Sequence, residues 1–451
     1  MNRLPSISRC VAAISLAVVV LSLAVVTHAA PPGEREQKVR ADKARLEQDD
    51  SWLYNDYEGA VAAAKSSGKP LLVVFRCIPC EACSKFDDEV VRRNETVRAL
   101  MDQFVCVRIV KANGLDIGKF QFDYDQSFHA FLVNADGTIY GRFGTRSESK
   151  DETQDMTMQG FARALEQALA WHKGYPNNQA QFAGKTGYAP PVGQPEDYPM
   201  LSGKYTSELN YEGNVVQSCI HCHQVREAER RFYREAGKTI PEQVLYPHPL
   251  PKVIGLAMNP LEAAEVKTVA EGSIAAEAGL RAGDHIAKLN GSPILSIADI
   301  QHVLHQFPAS GVLKAELVRG GRSTTAELTL PAGWRTKSDI SWRATTWDLR
   351  RAAFGGMALE PLPDDERSKL GIAPDRLALR VKHVGQYGDH AKAKQAGWVK
   401  GDVVTEFAGS TAPLTETQML AHSLADYKPG DKIPAKIRRG EKEIALQIPV
   451  Q

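Results

Sequence analysis

The sequence predicts a multidomain chain of α/β plus α+β class: one α/β sandwich, a short segment without strand pattern, and two copies of an α+β module. Three observations carry this. A chain of 451 residues exceeds what one hydrophobic core usually serves. Helix-period and strand-period stretches alternate between residues 52 and 174. The stretch Ala278-Gly279-Leu280-Arg281-Ala282-Gly283-Asp284 returns as Ala396-Gly397-Trp398-Val399-Lys400-Gly401-Asp402. Hydrophobic content of 43% is that of ordinary globular domains, and a formal charge of +1 without long single-sign runs points to neither nucleic acid nor a polybasic membrane tether.

At the N-terminus, Arg3 and Arg9 precede an apolar run over 11–26, and Thr27 and Ala29 suit the small-residue rule for cleavage. Residues 1–29 read as a cleaved secretory signal peptide, with an uncleaved anchor as the alternative. No later stretch is apolar enough for a span. The expected mature protein is periplasmic or secreted, with no stable membrane span. Residues 30–50 are polar and read as a loose or helical linker.

From 51 to 175 the elements come in order. YEGAVAAAKSSGKP is a helix ended by a Gly-Lys-Pro turn, and LLVVF (71–75) is a strand buried on both faces. A helical stretch follows the cysteines, and FVCVRIV (104–110) is a second buried strand. AFLVNADGTIYGRFG (130–144) is a hairpin turning at Ala135-Asp136-Gly137. FARALEQALAWHKG (161–174) is an amphipathic helix. Residues 176–204, rich in Pro, Gly, Asn and Gln, read as a linker. Residues 205–250 show no strand pattern. Modules at 251–333 and 354–451 each run through a small-residue helix, a strand, a helix and two strands joined at an Arg-Gly turn. Capping boxes are expected at Ser296 with Asp299 and at Thr415 with Gln418. Trp334, Trp342 and Trp347 mark a packed connector over 334–353.

Of seven cysteines, Cys10 leaves with the signal peptide, and five of the remaining six stand in two clusters: Cys77, Cys80, Cys83 and Cys219, Cys222. A structural disulfide framework would be more dispersed, so clustering points to redox or cofactor chemistry. Cys106 lies in an apolar strand and reads as a small core residue. FRCIPCEACSKFD (75–87) follows a buried strand directly. A cysteine opening the next helix would meet its positive dipole end, which favours thiolate. A static disulfide and a thiolate metal site remain open alternatives.

This region resembles the thioredoxin superfamily, in its secreted bacterial thioredoxin-like branch. The resemblance rests on Phe75 five residues before Cys80, on Asp87 four after Cys83, and on Glu89-Val90. It implies Cys80 as attacking thiol and Cys83 as resolving thiol, with Cys77 an extra thiol. The family's cis-proline has no counterpart; the alignment puts His129 there, which leaves room for a metal. Glu81 and Ala82 replace the usual Gly-Pro, and an acidic neighbour opposes thiolate formation.

Cys219-Ile220-His221-Cys222-His223 matches C-x-x-C-H, the c-type haem attachment pattern. Two thiols add to the porphyrin's vinyl groups and His223 ligates the iron, so haem c is the expected cofactor. Met258, Met200, His248 and His221 are candidates for a second axial ligand. A disulfide, a second exchange pair and zinc remain alternatives, although no further Cys/His pair stands where a zinc site needs it.

The repeated modules resemble the PDZ domain in the form found in HtrA-type proteases, a β-sandwich or barrel, through Ala278–Asp284 with Asn290-Gly291. Such domains add an extended peptide to a sheet edge, so protein or peptide ligands are the implied partners. The carboxylate-binding loops map onto Ile254-Gly255-Leu256-Ala257 and onto Gly356-Met357-Ala358-Leu359. His302, and Leu420 or His422, would line the grooves. Blocked grooves that only pack the molecule are the alternative. No G-N-S-G-G or G-x-S-x-G is present, so a protease is not expected. The function expected is a thiol-disulfide and electron-transfer redox protein that holds clients through its PDZ domains; the alternative is a non-catalytic envelope scaffold.

Overall fold

The computed structural model describes residues 33–80 and 83–451. The signal-peptide reading, Cys10, Glu81 and Ala82 lie outside the described residues. Among the described residues no helix is long and apolar enough to cross a membrane.

The polar stretch read as a linker is a helix, α1 (Glu34–Leu46). It is anchored: Asp42 pairs with buried Arg108 at 3.1 Å, and Glu36 accepts the backbone N–H groups of Val215 and Val216. Next come β1 (Leu53–Tyr54), α2 (Tyr57–Ser67), β2 (Leu71–Arg76), α3 (Ser84–Val91), α4 (Glu95–Met101), β3 (Val105–Ile109), β4 (Phe128–Val133), β5 (Ile139–Phe143) and α5 (Met158–Lys173). Asp56 caps α2 by accepting from Gly59 N, and Gly68 ends it at φ 69°. The strands form one mixed sheet in the order β1-β3-β2-β4-β5. β2 and β4 are buried along their whole length, as a continuous apolar run requires at a sheet centre.

Two cores flank this sheet. Leu72, Val74 and Leu132 meet Phe161 of α5 on one face. Val73, Phe75 and Phe131 meet Ile220, Val225 and Ala228 on the other. The C-x-x-C-H segment therefore supplies part of the second layer of the α/β sandwich. Residues 176–204 are not a free linker either. Phe182, Tyr198 and Leu201 are buried in the two cores, so three spaced apolar anchors decide their path despite a loop-like composition. The segment beyond them folds as α6 (Val215–Ser218), α7 (Cys222–Glu235) and α8 (Glu242–Leu245).

The first module comprises β6 (Leu256–Met258), β7 (Val266–Val269), α9 (Ile274–Glu277), β8 (His285–Leu289), β9 (Ser292–Pro293), α10 (Ile297–Gln306), β10 (Gly311–Arg319) and β11 (Arg322–Leu330). After the connector helix α11 (Thr346–Phe354) come β12 (Met357–Pro361), α12 (Asp364–Lys369), β13 (Leu379–Val384), α13 (Lys392–Gln395), β14 (Val403–Phe407), α14 (Glu416–Asp426), β15 (Lys432–Arg439) and β16 (Lys442–Pro449). The first copy holds a four-stranded sheet, β11-β10-β8-β9, beside the pair β6-β7, and the second a five-stranded sheet, β12-β13-β14-β15-β16. Neither closes into a barrel among the described residues.

The repeated heptapeptide has a physical cause. Buried Asp284 accepts from Arg281 N and pairs with Arg319 at 2.6 Å. Buried Asp402 accepts from Val399 N and pairs with Arg439 at 2.7 Å. The glycines before them, Gly283 and Gly401, stand at φ 83° and 95°, where a side chain would be strained. Thr415 and Gln418 form their capping box. Ser296 caps α10 by accepting from Ala298 N, but Asp299 reaches Leu295 N instead of the cap residue and pairs with Lys185 at 2.8 Å.

Candidate functional site

The cysteine loop hangs from Arg76, the last residue of β2. Its guanidinium donates to the carbonyls of Cys77 (2.6 Å), Ser127 (3.0 Å) and Cys80 (2.8 Å), and to Asp87 (3.0 Å). Asp87, expected from the motif, also takes Arg108 at 2.7 Å. Burial pushes its carboxyl up, but the two arginines outweigh burial and hold it below the usual range. Cys80 N donates to Cys77 O at 3.1 Å, closing a turn.

The helix begins later than its motif predicts. α3 starts at Ser84 with Cys83 as its cap residue, so the positive dipole end meets Cys83 rather than Cys80. Cys83 is buried, and burial pushes its thiol up against a hydrogen bond from Ser127. Burial and neighbouring Cys80 push Cys77 up to about 11. Cys80 is half-buried and borders an open cleft of about 340 Å³ whose walls include Lys38, Asp42, Arg45 and Asp88. Helix α1 is one wall of that cleft.

The residue across from the thiols is Ser127, not His129. The Ser127 carbonyl accepts Cys77 N at 3.0 Å. His129 pairs with Phe75 in the β2–β4 ladder. Its ring stacks on Phe122 at 4.8 Å and 17°, on the sheet face away from Leu72 and Val74. Burial, then Arg142, hold its pKa well below the ordinary value, so it is neutral. Motif spacing placed the partner two residues too far along the chain, inside β4, where the register with Phe75 puts His129 on the far face.

The C-x-x-C-H turn sits against the cysteine loop. Ala112 N donates to Ile220 O at 3.0 Å. Asn113 accepts from Ile220 N at 2.7 Å and donates to Ser218 O at 3.0 Å. These bonds pin the turn past the end of β3. Cys77 Sγ lies 3.6 Å from His221 Nδ1, and Cys77, His221 and Cys222 line one void. Burial, with Cys77 next, pushes Cys219 up to about 12.

The residues do not fit a porphyrin in this arrangement. The shared void measures about 10 Å³, room for one water. Cys219 Sγ turns inward to the carbonyls of Val110 and Ile220, at 3.7 and 3.5 Å. His223 Nε2 is buried without a partner, the one feature a ligand role would use. Of the proposed second ligands, Met258 belongs to the first module's core, and His248 is stacked on His305 at 4.1 Å. Among the described residues no group of three or more His, Cys, Asp or Glu is arranged to hold a metal ion.

Both PDZ-type grooves are engaged from within. In the first, Gly255 is half-buried and Ala257 exposed, whereas Ile254 and Leu256 are buried. Residues 144–157 of the α/β sandwich contact both the loop region and α10: Glu148 pairs with Lys252, Thr145 donates to Gln301, and Thr157 donates to Pro260 O. His302 is 1% exposed with both ring nitrogens unpartnered. In the second, Met357, Ala358 and Leu359 are buried, and Gly356 is backed by the His390 carbonyl. Leu359 N, on the edge strand a peptide would extend, donates to Glu416 at 2.6 Å, and Arg350 of α11 holds Glu416 at 2.9 Å. Leu420 is buried, while His422 pairs with Asp426. Arg76 was legible as a charge at the end of an apolar strand; Glu416 carried no such signal.

Comparison with known proteins agrees with the domain content. A thioredoxin-like family profile matches residues 52–135, and a PDZ-domain profile matches residues 265–312. The chain carries a thioredoxin-like domain and a PDZ domain. Similar curated proteins include a probable periplasmic serine endoprotease DegP-like of Pseudomonas fluorescens, 29% identical over 29% of this chain and 26% of its own length. The periplasmic serine endoprotease DegP of Salmonella typhimurium is 28% identical over 40% of this chain and 33% of its own. The chain thus spans about a third or less of these relatives. Among solved structures, the HtrA-type protease AlgW with tripeptide is 16% identical at a TM-score of 0.21, covering 38% of this chain and 55% of that one; a score that low carries no argument here.

Proposed function

We propose that this is an extracytoplasmic thiol-disulfide exchange protein whose PDZ modules frame the thioredoxin-like domain and whose protein or peptide clients are met at Cys80. The observation that carries it is Cys80, half-exposed on an open cleft, with buried Cys83 three residues further along the chain. The Cys80 thiolate attacks one sulfur of a client disulfide and expels the other as a thiol. Cys83 then attacks Cys80, releasing the second client thiol and leaving a Cys80–Cys83 disulfide. Two electrons pass to the client. The periplasmic relatives and the pattern over residues 3–29 support the location. Insulin reduction tests the reading: the wild type turns over and Cys80→Ser does not. Equal, negligible turnover by both favours the non-catalytic scaffold.

Electron transfer through haem is not part of this proposal, because Cys222 borders a one-water void and Cys219 turns inward to backbone carbonyls. A visible spectrum of protein exported from a host with haem-maturation machinery checks this. We expect no reduced α-band that survives acid–acetone extraction.

A further inference from the structure

We propose that Cys77 is a relay thiol that passes a disulfide from Cys80–Cys83 inward to Cys219–Cys222, so that the second pair recharges the first. The inference rests on the exchange reading above. Cys77 has two neighbours. On one side the turn from Cys77 O to Cys80 N gives a C-x-x-C spacing with Cys80. On the other, Cys77 and Cys222 border the same void of about 10 Å³, with the Cys77 sulfur in contact with His221. The bonds from Ala112 and Asn113 hold residues 218–220 in place, which fixes Cys222 opposite Cys77.

Each step is a thiol–disulfide exchange and conserves electrons. The Cys77 thiolate attacks Cys80 of the oxidised pair; a Cys77–Cys80 bond forms and Cys83 leaves as a thiol. The Cys222 thiolate attacks Cys77; a Cys77–Cys222 bond forms and Cys80 leaves as a thiol. Cys219 attacks Cys222, Cys77 leaves, and Cys219–Cys222 is the product. The net result is a reduced Cys80–Cys83 pair and an oxidised Cys219–Cys222 pair. The oxidant is the client disulfide consumed at Cys80.

The test uses the full chain, fully reduced, given one equivalent of glutathione disulfide, then acid-quenched, alkylated in denaturant and peptide-mapped. In the wild type the disulfide is expected at Cys219–Cys222. In Cys77→Ser it stays at Cys80–Cys83, with the inner disulfide at least tenfold lower. Cys219→Ser, which cannot finish the sequence, accumulates a Cys77–Cys222 cross-link. A wild-type disulfide that remains at Cys80–Cys83 overturns the relay while leaving client exchange intact. Failure to oxidise Cys80–Cys83 even in Cys77→Ser overturns both. An inner disulfide that forms equally in Cys80→Ser, or a native mass showing haem or zinc held by Cys219 and Cys222, also overturns the relay.

Discussion

Cys80 and Cys106 stand in contrasting thiol environments. Cys80 reaches an open cleft, whereas Cys106 lies inside β3 and burial pushes its thiol up to about 12. Reactivity follows thiolate character and access. Iodoacetamide at pH 8 is therefore expected to label Cys80 first in the native protein, and Cys106 and Cys219 only after denaturation; time-resolved peptide mapping reads the order. The buried carboxylate beneath the loop sets an acid limit. Asp87 is held below its ordinary pKa, so its contribution to stability is complete above the unfolded value of about 3.9 and is lost as pH falls through the lower folded value. Asp87→Asn leaves Arg108 buried with one carboxylate fewer. It should cost about 3–5 kcal/mol at pH 7 and flatten the loss of stability below about pH 4, measured by urea unfolding at both pH values.

At the scale of elements, α11 and α14 decide what the second module can bind. Glu416 opens α14, and its carboxylate takes the edge-strand donor of Leu359 while Arg350 holds it from α11. A peptide adding to that edge needs the same N–H. Glu416→Ala should lower stability by about 3 kcal/mol and let a fluorescent peptide with a free C-terminal carboxylate bind where the wild type shows none, read by anisotropy. The two capping boxes show what was legible here. Thr415 and Gln418 face solvent and behave as local chemistry dictates. Asp299 has the same spacing from Ser296, but buried Lys185 draws its carboxylate elsewhere. Local rules hold where no distant charge competes.

Across the whole molecule, one buried charge cluster joins the parts. Arg343 of the connector pairs with Asp123 at 2.6 Å and Asp125 at 3.4 Å, in the thioredoxin-like domain, and donates to Pro247 O at 3.0 Å. Asp125 also accepts from Thr345 N, and Arg230 of α7 donates to the Thr345 hydroxyl at 2.9 Å. Removing one partner strands buried charge. Arg343→Ala should cost about 3–5 kcal/mol and bring forward proteolytic cleavage within residues 334–346, followed by limited trypsin digestion with mass mapping.

The sequence by itself determined β2 to β5, the repeat and the identity of the two cysteine clusters, because periodicity, turn glycines and motif spacing are local properties of the chain. The order from LLVVF to the α5 helix needed nothing more. Only the tertiary structure decided that α1 and residues 176–204 are packed, that His129 faces away from the thiols, that Cys77 meets the C-x-x-C-H turn, and that both grooves are engaged from within. Each of these depends on a partner more than fifty residues away or on which face of a strand a side chain takes. Burial and charge pairing across such separations leave no trace in local pattern.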